Sequence, residues 1–117
     1  MKSIMQKMDD VVVWKNEAGQ LHRLDGPAAE WPNGTKEWYF KGRMHRLDGP
    51  AIESHTGTKE WYYDGKLHRI DGPAVILENK YESWYLNGRY FPSKEAWFNA
   101  LTKEEQIAYL FSMEGSV

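Results

Sequence analysis

The chain has 117 residues, 41% hydrophobic and 27% charged, a balance that excludes a disordered tail and fits one small domain with a modest core. Its net charge of −2 excludes the basic excess with which nucleic-acid binders displace counterions. It has no cysteine, which excludes a disulfide framework and thiolate chemistry, and no stretch nears the roughly 20 apolar residues of a membrane span.

Residues 1–10, MKSIMQKMDD, lack the apolar run of a signal peptide and read as a loose N-terminal arm on a cytoplasmic protein. Val11-Val12-Val13-Trp14 reads as an opening strand. A seven-residue phrase then recurs: HRLDGPA at 22–28 and 45–51, HRIDGPA at 68–74. His22, His45 and His68 are 23 residues apart, and Trp38, Trp61 and Trp84 keep the same step, as do Tyr39, Tyr62 and Tyr85. A fixed period of this length is the mark of a repeat architecture, in which each unit is one supersecondary element.

Each unit reads as two short strands. After the first phrase come Ala28 to Trp31, the turn signal Pro32-Asn33-Gly34-Thr35, and Lys36 to Phe40. Side chains alternate along a strand, so Trp38 and Phe40 share one face and Glu37 and Tyr39 the other. The tryptophan face is expected to be the core, with Ala29, Ile52 and Val75 pointing the same way, and the tyrosine face to be wetter. The fourth unit breaks off: Phe91 and Pro92 stand where His and Arg are due, Ser93 is a helix N-cap, and Thr102-Lys103-Glu104-Glu105 is a capping box for a second helix reaching about Met113. The expected fold is mainly β: single-layer stacked antiparallel β-hairpin repeats over 11–91, with a C-terminal helical cap over 92–117 that covers an open sheet edge.

The aromatic strand, glycine and histidine corner at Trp61-Tyr62-Tyr63-Asp64-Gly65-Lys66-Leu67-His68 resembles the MORN repeat family in a variant form, over residues 14–91. The Arg-x-Asp-Gly-Pro-Ala that follows departs from the simpler MORN pattern and is similar to repeats common in bacteriophage and large-virus genomes. The resemblance implies hairpin repeats that serve as scaffolds and partner-binding surfaces, and a host cytoplasm if the chain is viral.

Does the phrase carry chemistry? Equivalent residues of successive hairpins lie two strands apart, roughly 9–10 Å, too far for His22, His45 and His68 to share a zinc ion. No nucleophile lies in the phrase, and three equal copies argue against one unique catalytic cleft. The turn reading explains more letters: Asp accepts backbone hydrogen bonds, Gly frees φ and Pro directs the chain into a strand. Arg and Asp are expected to pair between neighbouring units, and His to satisfy a backbone carbonyl.

Two functions follow. The first is a non-enzymatic interaction module without cofactor or metal, binding a protein partner (a host defence protein if the chain is viral) through Tyr39, Tyr62, Tyr85, Glu37 and Glu60. The second is a small-ligand protein in which His22, Arg23, His45, Arg46, His68 and Arg69 clamp a nucleotide-like molecule. The open strand at 11–14 also allows a homodimer by strand-edge pairing.

Overall fold

The computed structural model describes residues 2–114. Two strands open the chain, β1 (Ile4–Met8) and β2 (Val11–Lys15). The first unit supplies β3 (Ala29–Glu30), β4 (Lys36–Glu37), β5 (Tyr39–Phe40) and β6 (Arg43–Met44). The second supplies β7 (Ile52–Glu53), β8 (Lys59–Glu60), β9 (Tyr62–Tyr63) and β10 (Lys66–Leu67), and the third β11 (Val75–Ile76), β12 (Glu82–Leu86) and β13 (Arg89–Phe91). Two helices follow, α1 (Lys94–Ala100) and α2 (Lys103–Glu114). The chain is mainly β, an antiparallel hairpin sheet with a C-terminal helical segment.

Nine strands form one antiparallel sheet in the order β1-β2-β3-β4-β7-β8-β11-β12-β13, while β5–β6 and β9–β10 stand off it as separate two-stranded hairpins. The first two units thus hold four short strands each, not two, and the third holds three because β12 runs unbroken through Trp84. The strand is interrupted at Trp38 and at Trp61, where the main sheet ends and the small hairpin begins. The small hairpins turn through Lys41-Gly42 and Asp64-Gly65, and β12–β13 turns through Asn87-Gly88. Both residues of each turn have positive φ, the condition for a two-residue loop that matches strand twist. At Pro32-Asn33-Gly34 only Gly34 is left-handed, and the Asn33 side chain accepts the Thr35 N–H at 2.9 Å, a longer and looser turn than Asn-Gly implies.

The expected loose arm is instead a strand. Ile4–Met8 pairs with Val11–Lys15 along its length, from Ile4 opposite Lys15 to Met8 opposite Val11. Asp9 and Asp10 both take positive φ, which aspartate tolerates better than most residues, and close the hairpin. The open edge is therefore β1, not residues 11–14.

The face assignment also needs correcting. The phrase sets the register: Ala28 N–H donates to Glu37 O and Ala51 N–H to Glu60 O, at 2.8 and 2.7 Å. Ala29 then lies opposite Glu37, Ile52 opposite Glu37 and Glu60, and Val75 opposite Glu60. Opposed residues share a face, so Ala29, Ile52 and Val75 stand with the glutamates and not with the tryptophans. A one-residue difference in register is enough to exchange the faces.

Trp14, Trp38 and Trp61 are only half-buried. The fully enclosed residues of the repeats are the small ones, Ala28, Ala51 and Ala74, together with His22. Each alanine N–H donates within its own unit while its carbonyl accepts the N–H of Trp14, Trp38 or Trp61 at 2.7–2.8 Å. The dense apolar core lies at the C-terminal end, where Phe91, Trp97, Leu101 and Tyr109 pack with Trp84 and Leu86. Ser93 caps α1, accepting the Ala96 N–H at 3.1 Å, and Thr102 and Glu105 form the reciprocal capping box of α2.

Candidate functional site

The HR-x-DGPA corner can be built letter by letter. The histidine reaches forward 19 residues, to the tight turn at the far end of its own unit. Nδ1 of His22 accepts the Lys41 N–H, Nδ1 of His45 the Asp64 N–H and Nδ1 of His68 the Asn87 N–H, each at 2.9 Å. The next residue of each turn, Gly42, Gly65 or Gly88, donates to the carbonyl just before the same histidine. The expectation that His satisfies a carbonyl is thus reversed: the ring accepts, its proton sits on Nε2, and both N–H groups of each tight turn are satisfied by the histidine of the phrase before it and the carbonyl just ahead of that histidine. Burial pushes the His22 and His68 imidazoles below their usual range, Glu105 opposing this at His68.

The arginine lies flat in a slot. Its guanidinium carbon sits over a tryptophan ring: Arg23 on Trp14 at 4.1 Å, Arg46 on Trp38 and Arg69 on Trp61 at 3.8 Å. Its Nε donates to the aspartate two residues on and its Nη1 to the proline carbonyl four residues on. The Arg–Asp pair is therefore closed within one corner and does not bridge neighbours; the bridging pair is Arg43–Asp64 at 3.0 Å. The Arg46 hydrogen bond holds the Asp48 carboxyl below its usual range. A Cβ on Gly26, Gly49 or Gly72 would stand 2.7–2.9 Å from the guanidinium carbon, so glycine is needed for the arginine to close over the turn.

Six letters of the phrase are thus committed to internal contacts. The remaining one, Leu24, Leu47 or Ile70, points outward, with exposures of 66%, 80% and 38%. Between successive corners run grooves. The first, about 470 Å³, has Leu24, Phe40 and Leu47 in its lining; the second, about 730 Å³, has Leu47, Tyr63 and Ile70, with Ala108, Tyr109 and Ser112 of α2 on its flank. Phe40 and Tyr63 alternate with the histidines in one stack, His22–Phe40–His45–Tyr63–His68, with ring centres 4.7–5.9 Å apart. An aromatic ring separates each histidine from the next, and among the described residues no three of His, Cys, Asp and Glu gather as metal ligands.

The tyrosine row differs in kind. Tyr39 and Tyr62 are half-buried and donate their hydroxyls to Glu37 and Glu60 at 3.0 Å. Burial, then the neighbouring glutamate, pushes both phenols up to about 12. The Trp31 indole N–H occupies the other oxygen of Glu37, and Tyr85 packs edge-on against Tyr90 at 5.5 Å. These side chains spend their polar tips on one another. The arginines named for a phosphate clamp likewise have Nε and Nη1 engaged.

The outward letter and its aromatic companions Phe40 and Tyr63 were not among the residues singled out from sequence. The signal was an apolar residue held between Arg and Asp at every corner, where a turn tip is normally polar. Comparison with protein-family models, with curated proteins and with solved structures returns no match.

Proposed function

We propose that the chain is a non-enzymatic protein-interaction module whose contact face is the row of corners. The observation that carries this reading is the division of labour inside HR-x-DGPA: six residues close the corner and the seventh, Leu24, Leu47 or Ile70, is apolar and exposed. One exposed leucine is ordinary, but a row of them flanking grooves with aromatic floors is an apolar surface of the kind that marks interaction sites. The partner is a protein, and the resemblance to viral repeats makes a host factor the first kind to test. The tyrosine–glutamate row reads better as a structural ladder, and the nucleotide reading weakens because each arginine is already bonded and stacked.

The test is affinity capture from a host lysate with the wild-type chain, with Leu24→Ser/Leu47→Ser, and with Tyr39→Ala/Tyr62→Ala. The serine pair should abolish capture of a specific protein and leave the melting temperature unchanged. Capture that survives the serine pair and is lost with the tyrosine pair would move the interface to the ladder.

A further inference from the structure

The nine-stranded sheet ends in two edges, and the molecule treats them differently. At one end β13 has three residues, runs straight into Pro92, and has Phe91 buried in the core with Trp97 of α1. A short strand, a proline and a covering helix are the usual protections of an edge. At the other end β1 has none of them: it has five residues, no proline, and every side chain exposed. Trp14 donates its N–H to Ala28 O and accepts the His22 N–H, so both of its backbone groups are spent on the side away from β1. Bonding alternates along an antiparallel strand, so Val11, Val13 and Lys15 are the residues of β2 that bond β1, and their partners are Met8, Gln6 and Ile4. Met5 and Lys7 therefore turn their N–H and C=O groups outward from the edge.

We infer that this edge pairs with β1 of a second copy of the chain, antiparallel about a two-fold axis at Gln6, joining two nine-stranded sheets into one. The strand is complementary to itself in this register. Met5 of each copy lies opposite Lys7 of the other, so outward N–H and C=O groups meet in both pairs. Ile4 lies opposite Met8, and side chains 61% and 48% exposed in the single chain cover each other on one face. Beyond the strand ends, Lys2 comes to the Asp9-Asp10 turn of the second copy, where Asp10 has only a long, exposed contact with its own Lys7 at 3.8 Å. Other axes lose these matches. An axis at Lys7 sets two lysines opposite each other, and one at Met5 leaves Lys7 and Met8 beyond the end of the facing strand. An axis between two residues opposes outward groups to inward ones. The contact is isologous, and because the β13 edges are covered, association stops at two copies. The pair carries two rows of corners on one continuous sheet.

The experiment measures sedimentation of the full chain over a range of concentrations, in wild type and variants. Wild type should show a reversible dimer. Met5→Pro removes one outward N–H and no bond of the β1–β2 ladder, and Gln6→Lys sets two cations on the axis. Each should weaken the dimer at least tenfold and leave the far-UV circular dichroism of the monomer unchanged. The chain has no cysteine, so a single new one reads the register. Air oxidation should link two copies of Gln6→Cys through a disulfide. It should not link Ile4→Cys, whose equivalent lies four strand residues away across the axis, roughly 13 Å, beyond disulfide reach. A wild-type monomer at every concentration would overturn the inference. So would a dimer that withstands Met5→Pro and Gln6→Lys and is lost in Phe111→Ser, which would put the contact on α2. Linkage of Ile4→Cys and not of Gln6→Cys would overturn the axis at Gln6.

Discussion

Gly72→Ala sets two effects against each other. Gly72 is not left-handed, so alanine fits the backbone and restricts the unfolded chain, a gain of about 0.4–1 kcal/mol. Its Cβ, however, would stand 2.7 Å from Cζ, 2.9 Å from Nη1 and 3.0 Å from Nε of Arg69. The guanidinium is the free end of a flexible side chain, so it moves and the backbone does not. What is lost is its set of contacts. The bond to the Pro73 carbonyl at 3.0 Å is worth about 1 kcal/mol. The stack on Trp61 adds about 0.5–1 kcal/mol and the exposed Asp71 pair about 0.5 kcal/mol. The loss exceeds the gain by about 1–2 kcal/mol, or roughly 4–8 °C in melting temperature for a chain of this size. Urea and thermal unfolding of Gly72→Ala, Arg69→Ala and the double variant measure it. With Arg69 already removed, Gly72→Ala should be neutral or slightly stabilising. A stabilising Gly72→Ala in the wild-type background would refute the view that this glycine exists to admit the arginine.

Three further outcomes follow from the same geometry. His22 and His68 are held below their ordinary range, so the unfolded chain binds more protons; stability should fall as pH drops below 6.5 towards the lowered folded-state values, and a pH series of melts on wild type and His68→Asn, whose Oδ1 can replace Nδ1 as acceptor, should show a shallower fall in the variant. Tyr39 and Tyr62 have phenols raised from 10 to about 12, so stability should be lost as pH rises through that window; phenolate absorbance should show two late-titrating tyrosines that shift earlier in Glu37→Gln/Glu60→Gln. Trp97→Ala removes a fully buried ring and should cost about 3–5 kcal/mol, read by urea unfolding.

The repeated phrase, the hairpins and the helical cap were legible because each rests on local chemistry: Gly and Asp in turns, Ser93 and Thr102 at helix starts. Strand β1 was not, because Met-Gln-Lys-Met shows no β-branched alternation; the cue was Asp9-Asp10, a pair that tolerates left-handed φ, placed just before three valines. The face assignment differs because the alternation from Lys36 to Phe40 implies one continuous strand, whereas the strand is interrupted at Trp38 and the corner dictates the register. The arginine's course was hidden for another reason. Its stacking partner, Trp14, Trp38 or Trp61, lies eight or nine residues upstream, and no local pattern joins the two.

The forward reach of each histidine gives the molecule a polarity that bears on how such a chain can grow. Each ring finishes the turn that follows it, and no unit is self-contained: the next phrase supplies the alanine carbonyl that meets each tryptophan N–H and the arginine that covers its ring. Cutting and rejoining the gene within equivalent phrases leaves every ring facing a turn and every arginine facing a tryptophan, whether one unit is gained or lost. A junction one residue out of step would orphan two N–H groups at once. Unequal recombination can therefore lengthen or shorten the row of corners, and with it the number of grooves, without inventing a single new contact.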